Sequence, residues 1–496
     1  MNNSTATPLA TATIKRVELA RALQRLADTA PKRSPKPILT NAKLSINGDF
    51  HIDATDCERS QRSIVPCERS GESTALVDFV ALRKSVTSTK AKQVYIGVYS
   101  DCVRLNGTKL PLADLDEYPE PLPQAKTHGE LLVDANEFCA SLQSVVLCCD
   151  VESSRYALGG VMFDVDGSKL NLVGSDGRRL GHAVIDAAVE QWQGLPNPEP
   201  ETEDGYPENQ IIVPHKAIKA MIRLCQHAKD SIATFRVIDA SNVELELPRV
   251  GQVRTRLMEG RFPKYRDVIP SSRNKHSAAT FDVDEFRSAL DSVSVATTKE
   301  LRGVLVRIVE GSVKLSVHTV GLASESELSA TTAVGSLDDN GEPESVLLDC
   351  GFLIDYCKGS VKGARATLTI RDDSTAADIR LGDYVDNGYS PNYRHCLVVM
   401  PIARQEEAKP RCREWSTDSM RSIWYAYPSS PNAEHYGFER SGCYVVKIAG
   451  NAQGYKTGKE ALSVFDASNA PIAPFSYFGE RDNENHDDTR RRISNG

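Results

Sequence analysis

No stretch of the 496-residue sequence is apolar for long enough to cross a membrane as a helix, and Met1 to Lys15 lacks the continuous apolar core of a secretory leader. There is no CxxC pair among the 12 cysteines, and Cys148-Cys149 are adjacent inside an apolar run. That usage predicts reduced, mostly buried thiols in a cytoplasmic protein and excludes a disulfide framework. Walker-type glycine loops, nucleophile elbows and repeated metal-ligand spacings are missing too, which argues against an enzyme and against a bound metal or cofactor. Basic excess is also lacking: the net charge is -8, so no uniformly basic nucleic-acid coat exists. A local basic surface inside an acidic molecule remains compatible with that balance.

What is present is ordinary globular composition, 40% hydrophobic and 25% charged, at a length that predicts about three or four domains. A recurring grammar organises it. Val17 to Ala30 has helical spacing, Pro31 stops it, and a hairpin follows through Asn47-Gly48. The same order returns at Leu131 to Cys149 with a turn at Asp166-Gly167, and at Phe281 to Thr298 with a turn at Glu310-Gly311. A shorter helix-then-strand companion follows each copy, at Leu76 to Thr89, Val213 to Lys229 and Leu347 to Gly359. Six units result, and paired they predict three α+β domains, each with two helices against antiparallel sheet.

Proline and acidic residues mark Gln191 to Asn209 as a solvated insert, with a smaller one at Gly335 to Glu344. Beyond Arg404 the grammar stops. The last 93 residues hold 12 of the 32 aromatic residues without a seventh unit, which predicts an appended region with a small β-rich element near Cys443 to Ala449 and a disordered end.

One turn stands out. Val173 to Leu180 carries Asp176-Gly177 between two strand-like runs, a hairpin signal because glycine supplies positive φ and aspartate bonds its own backbone. Taken alone it is an ordinary turn with two solvated arginines. Asp176 with His182, and Asp53 and Asp56 with Cys57, are the only grouping that would suit a metal-dependent hydrolase, the enzymatic alternative.

Several segments, in order along the chain, resemble the bacterial DNA polymerase III β subunit, the sliding-clamp family. They are Lys36-Pro37-Ile38-Leu39-Thr40-Asn41, Arg155-Tyr156-Ala157-Leu158-Gly159-Gly160, Gly174-Ser175-Asp176-Gly177-Arg178-Arg179-Leu180, Gly260-Arg261-Phe262-Pro263-Lys264-Tyr265-Arg266, Arg302-Gly303-Val304 and Val398-Val399-Met400-Pro401. The resemblance covers roughly residues 14 to 403. It implies three tandem DNA-clamp domains, at 14–125, 129–270 and 277–403, with a C-terminal extension at 404–496.

The implied function is a DNA polymerase processivity factor: a homodimeric ring around duplex DNA that docks DNA polymerase III, the clamp loader and other replication and repair proteins. A paralogue that keeps the ring but binds other partners is the alternative. Implied DNA contacts on or beside the six helices are Arg21, Arg25, Arg33, Arg83, Lys84, Lys219, Arg223, Lys229, Arg287, Lys299, Arg302 and Lys358, with Arg33 on a loop the family uses for DNA. Taken singly, each is a solvated helix charge. The implied dimer interface sets Leu105 against Val295 and Ala296 of the other subunit.

The implied peptide cleft comprises Leu158, Ser175, Gly177, Arg178, Arg179, Leu180, Pro263, Val268, Asp349, Phe352, Val398, Met400, Pro401 and Ile402. Arg178 stands where the family commonly has histidine, and Ala403 where it usually has a charged residue. The extension also contains Ala461-Leu462-Ser463-Val464-Phe465, similar to the Gln-Leu-Ser-Leu-Phe peptides that clamp partners use, which predicts self-docking into this cleft.

Overall fold

The structure is a computed structural model that describes residues 7–119, 127–150, 156–192, 210–226, 231–238, 241–270, 276–298, 301–319, 322–333, 345–360, 363–372, 374–381 and 394–403, together with five backbone strands beyond them. Two compact units divide the chain, Met1–Ile402 and Ala403–Gly496.

The first unit is one motif used six times: a strand, a helix, then three strands. The first copy is β1 (Ala10–Lys15), α1 (Arg16–Arg25), β2 (Asn41–Asn47), β3 (Asp49–Thr55) and β4 (Arg59–Val65). After the short β5 (Glu68–Gly71) comes β6 (Ser73–Asp78), α2 (Phe79–Ser88), β7 (Gln93–Val98), β8 (Cys102–Leu105) and β9 (Thr108–Pro111). The third copy is β10 (Thr127–Asp134), α3 (Ala135–Val146), β11 (Gly160–Asp166), β12 (Lys169–Ser175) and β13 (Arg179–Asp186). Past β14 (Ala188–Trp192), the fourth is β15 (Gln210–Pro214), α4 (His215–Cys225), β16 (Ile232–Ile238), β17 (Asn242–Leu247) and β18 (Gly251–Arg256).

The fifth copy is β19 (Ser277–Asp282), α5 (Val283–Ser294), β20 (Gly303–Val309), β21 (Ser312–Thr319) and β22 (Leu322–Ser329). Beyond β23 (Thr331–Ala333), the sixth is β24 (Ser345–Asp349), α6 (Cys350–Gly359), β25 (Arg365–Ile370), β26 (Ala377–Leu381) and β27 (His395–Val399).

The helices begin later than the apolar spacing predicts. Leu76–Val77, Leu131–Val133 and Leu347–Leu348 belong to strands, and so does Phe281. The reason is the aspartate that closes each strand. Asp78, Asp134, Asp282 and Asp349 have extended or non-helical backbone, and each accepts a hydrogen bond from an N–H of the first helical turn. A side-chain acceptor at that position satisfies a donor the helix cannot satisfy itself, so the aspartate fixes the boundary. At the acidic insert, Gln191 and Trp192 complete β14, and residues 193–209 lie outside the described set.

Within each domain the two copies exchange their first strands, β1 pairing with β7 and β6 with β2, β10 with β16 and β15 with β11, β19 with β25 and β24 with β20. The second, third and fourth strands of a copy then follow in order, all antiparallel, and the fourth strands decide how domains join. β4 pairs with β18, and β13 pairs with β27, so two nine-stranded sheets run across from one domain into the next. The sheet β5-β1-β7-β8-β9 ends on β9, and the sheet β22-β21-β20-β24 ends on β22. These too are fourth strands, and among the described residues neither has a partner on its outer side. The helices pack as a connected series, α2 to α1, α1 to α4, α4 to α3, α3 to α6 and α6 to α5.

Three apolar cores lie between helices and sheets, around Leu19, Leu23 and Phe50, around Phe138, Phe163 and Phe235, and around Phe281, Phe286 and Leu290. In the middle core Phe163 and Phe235 stack with centroids 4.9 Å apart. Within the described residues every cysteine is a free thiol and most are buried, as their spacing predicts. The Ala403–Gly496 unit has a separate antiparallel sheet, β28 (Arg413–Glu414), β29 (Arg421–Ala426), β30 (Cys443–Ile448), β31 (Asn451–Tyr455) and β32 (Ser476–Tyr477). Its register places Tyr425, Tyr444 and Tyr455 at facing positions on three neighbouring strands, where part of the aromatic excess of the extension goes.

Candidate functional site

The seam between β13 and β27 is built from the turn at 175–179. The Asp176 carboxylate accepts hydrogen bonds from the Arg178 and Arg179 N–H groups, both at 2.9 Å, and from Arg179 Nε at 3.0 Å. The Ser175 hydroxyl donates to the Arg179 carbonyl at 2.9 Å and accepts from the Gly177 N–H at 3.1 Å. Gly177 sits at φ +83°, a backbone region that favours glycine. Asp176 is thus consumed by the turn, with no carboxylate oxygen held ready for a metal or a proton. Among the described residues no group of acidic, histidine and cysteine side chains is arranged to hold a metal ion.

From this turn β13 runs along β27 with Leu180 opposite Val398 and Arg179 opposite Val399. Strand alternation then divides the expected cleft residues. Leu180 and Val398 join Leu158, Phe262 and Tyr265 in a separate apolar cluster on the outer side of the sheet. Val399 belongs to the helix-side core, and Arg179 accordingly reaches α6, with Nη1 3.1 Å from Asp355 Oδ2 and its guanidinium 4.2 Å from the Phe352 ring centroid. Asp349 is buried as the α6 cap. Leu158, Leu180 and Val398 therefore meet in an apolar floor on the outer face, whereas Arg179 and Phe352 meet at α6 on the other side of the sheet and Asp349 serves as the helix cap.

Residues that lie open beside this floor are Met400 and Val268, 45% and 43% exposed, with Pro263, Gly177 and Arg178 on the surface as well. Pro401 and Ile402 are half-buried. The Met400 N–H donates to the Arg178 carbonyl at 2.9 Å, and the Ile402 N–H to the Leu347 carbonyl at 2.8 Å, so the segment 400–402 is pinned at both ends. An apolar floor under two exposed, adaptable apolar side chains suits an extended peptide with apolar anchors.

Two polar groups under the floor were not legible in the sequence. His182 Nε2 lies 3.0 Å from Asn171 Oδ1, and the Tyr265 hydroxyl donates to Asp164 at 2.8 Å. Burial first, then the nearby Arg266, His395 and Arg380, push His182 down to about 3, so it is neutral at ordinary pH. Instead of offering a catalytic base, His182 packs 5.3 Å from the Tyr265 ring.

The expected DNA contacts separate into groups. Arg33, Arg83, Lys84 and Lys219 are exposed and have no ion-pair partner among the described residues. Arg21, Arg287 and Lys358 are paired within their own helices to Glu18, Asp291 and Asp355, Arg223 bridges to Asp28, and Arg302 lies 3.6 Å from Asp349. Arg25 departs from the expectation: it is buried, with Nε donating to the Ser63 hydroxyl at 2.9 Å, because its position on α1 faces β4. A cavity of about 370 Å³ lies between α1 and α4, lined by Gln24, Arg25, Asp28, Lys219, Ile222 and Arg223. Lys229 and Lys299 lie outside the described residues, as do Ala461 to Phe465.

Of the expected interface residues, Leu105 and Ala296 are 3% and 1% exposed and belong to the cores of their own domains. Short apolar residues on the inward side of a sheet or helix end there by default. Val295, by contrast, is 75% exposed, and Leu301 and Leu322 are exposed as well, the latter at the start of the edge strand β22. Leu301 stands between Glu300 and Arg302, and Leu322 follows Gly321, so no apolar pattern marks either in the sequence.

Six copies of one strand-helix-three-strand motif, paired into three domains by exchanged first strands and joined between domains through fourth strands, give the fold of the DNA clamps. The match extends to particular families: residues 132–264 match the family model described as DNA polymerase III beta subunit, central domain. The Beta sliding clamp of Caulobacter vibrioides (strain NA1000 / CB15N) is 26% identical over 402 residues, 79% of this chain and 99% of that protein. The Escherichia coli (strain K12) Beta sliding clamp is 25% identical over 356 residues, covering 68% and 88%. Among solved structures, the DNA polymerase III beta subunit of Thermotoga maritima superposes with a TM-score of 0.64 at 21% identity, covering 79% of this chain and 99% of that one. A Bartonella birtlesii sliding clamp bound to griselimycin does so at 0.64 and 23%, with the same coverage. The chain thus resembles the bacterial β sliding clamps in sequence and in fold, and residues 132–264 resemble the central domain of the DNA polymerase III β subunit.

Proposed function

We propose that the chain is a DNA polymerase processivity factor, one half of a homodimeric sliding clamp that encircles duplex DNA and docks DNA polymerase III, its clamp loader and other replication and repair proteins on the seam between β13 and β27. The observation that carries the reading is the pair of unmatched fourth strands. Inside the chain, fourth strands pair with fourth strands, β4 with β18 and β13 with β27. Among the described residues β9 and β22 are left with open edges, and an open edge is a template for pairing with another chain. Two copies joined head to tail, β9 of each to β22 of the other, would satisfy both edges and close a ring of six domains. The exposed Val295, Leu301 and Leu322 lie in the domain that carries β22 and would be covered by closure.

Duplex DNA would then face the helix series, where Arg33, Arg83, Lys84 and Lys219 supply cations free to meet phosphates. Such contacts hold DNA through charge without reading bases, which permits sliding. No catalytic duty is assigned. The chain as purified, loaded by its clamp loader on a nicked circular plasmid, should co-migrate with the circle and be lost when a restriction enzyme linearises it. Retention on the linear form would contradict encirclement.

A further inference from the structure

We infer that the docking cleft continues onto the outer face of the third domain, where Arg307 and Lys314 receive an acidic side chain from the segment flanking a bound peptide's apolar anchors. The inference rests on the cleft reading above and adds a charge preference to it.

Continuity comes first. The segment 400–402 leaves the β13 turn at Met400 and reaches β24 at Ile402, whose N–H donates to the Leu347 carbonyl. On β24, Val346 and Leu348 point into the core, so alternation turns Leu347 to the outer face. On β20, Val304, Val306 and Ile308 are core residues, so Leu305 and Arg307 face outward. Leu305 lies opposite Leu347, and Arg307 lies opposite Lys314 of β21. An apolar step, Leu347 to Leu305, therefore leads from the end of the cleft to a pair of cations. One strand spacing and two residues along β20 make that path about 8 Å, which roughly three extended residues span.

Charge comes second. A groove of about 490 Å³ covers this face, lined by Leu305, Arg307, Lys314, Ser316, Glu325 and Glu327. Like charges directly opposite on adjacent strands repel, and neither Arg307 nor Lys314 has an ion-pair partner among the described residues. Arg307 faces Ser345 on its other side, whereas Lys314 faces Glu327, which makes no ion pair with it and accepts from the Ser312 hydroxyl; Glu325 lies 3.8 Å from His318. A carboxylate placed between Arg307 and Lys314 would relieve their repulsion. The occupant that fits is an extended peptide with apolar anchors followed, after about three residues, by aspartate or glutamate.

The test uses the full-length protein and fluorescent peptides, read by anisotropy at low and high salt. One peptide is Gln-Leu-Ser-Leu-Phe alone, and two others carry a Gly-Ser-Gly spacer and two aspartates at either end. One acidic peptide should bind about three- to tenfold more tightly than the plain one, and high salt should remove the gain. Arg307→Gln with Lys314→Gln should erase the gain while leaving the plain peptide's affinity unchanged, and Arg307→Glu should make the acidic peptide the weaker ligand. Equal affinity of all three peptides for the unaltered protein would overturn the extension alone. Failure of every peptide to bind would overturn the cleft reading together with it.

Discussion

At the first seam β4 meets β18, and at the second β13 meets β27, each entered through a turn of the same construction. Thr55 repeats Ser175: its hydroxyl donates to the Arg59 carbonyl and accepts from the Cys57 N–H. Asp56 repeats Asp176, accepting from the Glu58 and Arg59 N–H groups and from Arg59 Nε. Cys57, at φ +73°, takes the left-handed position that Gly177 takes in the second turn. The side chains on the outer face then diverge. Aligning Arg59 with Arg179 puts Ser60 at the place of Leu180, Arg62 at His182, Asp53 at Val173 and Arg254 at Val398. Arg254 pairs with Glu244 at 2.8 Å, and Arg62 pairs with Asp53 at 2.8 Å beside a cavity of only about 40 Å³ that Tyr118 and Pro119 help line. One backbone plan thus yields a closed, charge-paired joint and an apolar floor with open neighbours. Backbone sets where a seam forms; four side chains decide whether anything apolar can dock on it.

The largest effect should come from the shared turn. Arg59 is buried, 2.7 Å from Asp56, and also donates to the Asp28 and Lys216 carbonyls, tying the first seam to α4. Arg59→Ala strands Asp56 and two carbonyls and should cost about 3–5 kcal/mol in urea unfolding. Exchanging one residue between seams is expected to come next. Leu180→Ser opens the second floor, with a loss of about 2–4 kcal/mol and of peptide binding, whereas Ser60→Leu should create no peptide site because Arg62, Asp53 and Arg254 remain.

Met400→Ala separates docking from stability. The side chain is exposed, so unfolding should change by less than about 0.5 kcal/mol. Affinity for the Gln-Leu-Ser-Leu-Phe peptide should nevertheless fall about tenfold or more, since it removes an apolar anchor contact. The smallest effect distinguishes the seams by pH. Burial holds His182 near 3 and His395 near 4, both well below the ordinary histidine value. The unfolded chain therefore binds protons that the folded chain refuses, and stability falls as pH drops below about 6.5. Between about pH 6.5 and 5.5 the loss should be about 1 kcal/mol per histidine, absent above that window, and diminished in His182→Gln.

The sequence carried the repeat because its turns are local: Asn47-Gly48, Asp166-Gly167 and Glu310-Gly311 each close a hairpin within a few residues. It misplaced helix starts because strand and helix share one unbroken apolar run on either side of a capping aspartate. Pairing of β4 with β18 joins residues nearly two hundred positions apart, and no local pattern encodes it. That Leu158, Leu180 and Val398 come together in one apolar cluster was legible through resemblance, but the retreat of Arg25 into the α1–β4 contact, and of Leu105 and Ala296 into their cores, depends on which face each element buries. Physical reading of exposure then supplied Leu301 and Leu322, which no motif marks.

The most direct measurement is hydrogen–deuterium exchange of the full-length protein with and without saturating Gln-Leu-Ser-Leu-Phe peptide. Protection should appear at residues 175–180, 262–268 and 398–402, with none at the matching positions 55–60 and 252–255 of the first seam. Protection at the first seam, or binding that leaves both seams unprotected, would contradict the assignment of docking to the apolar joint.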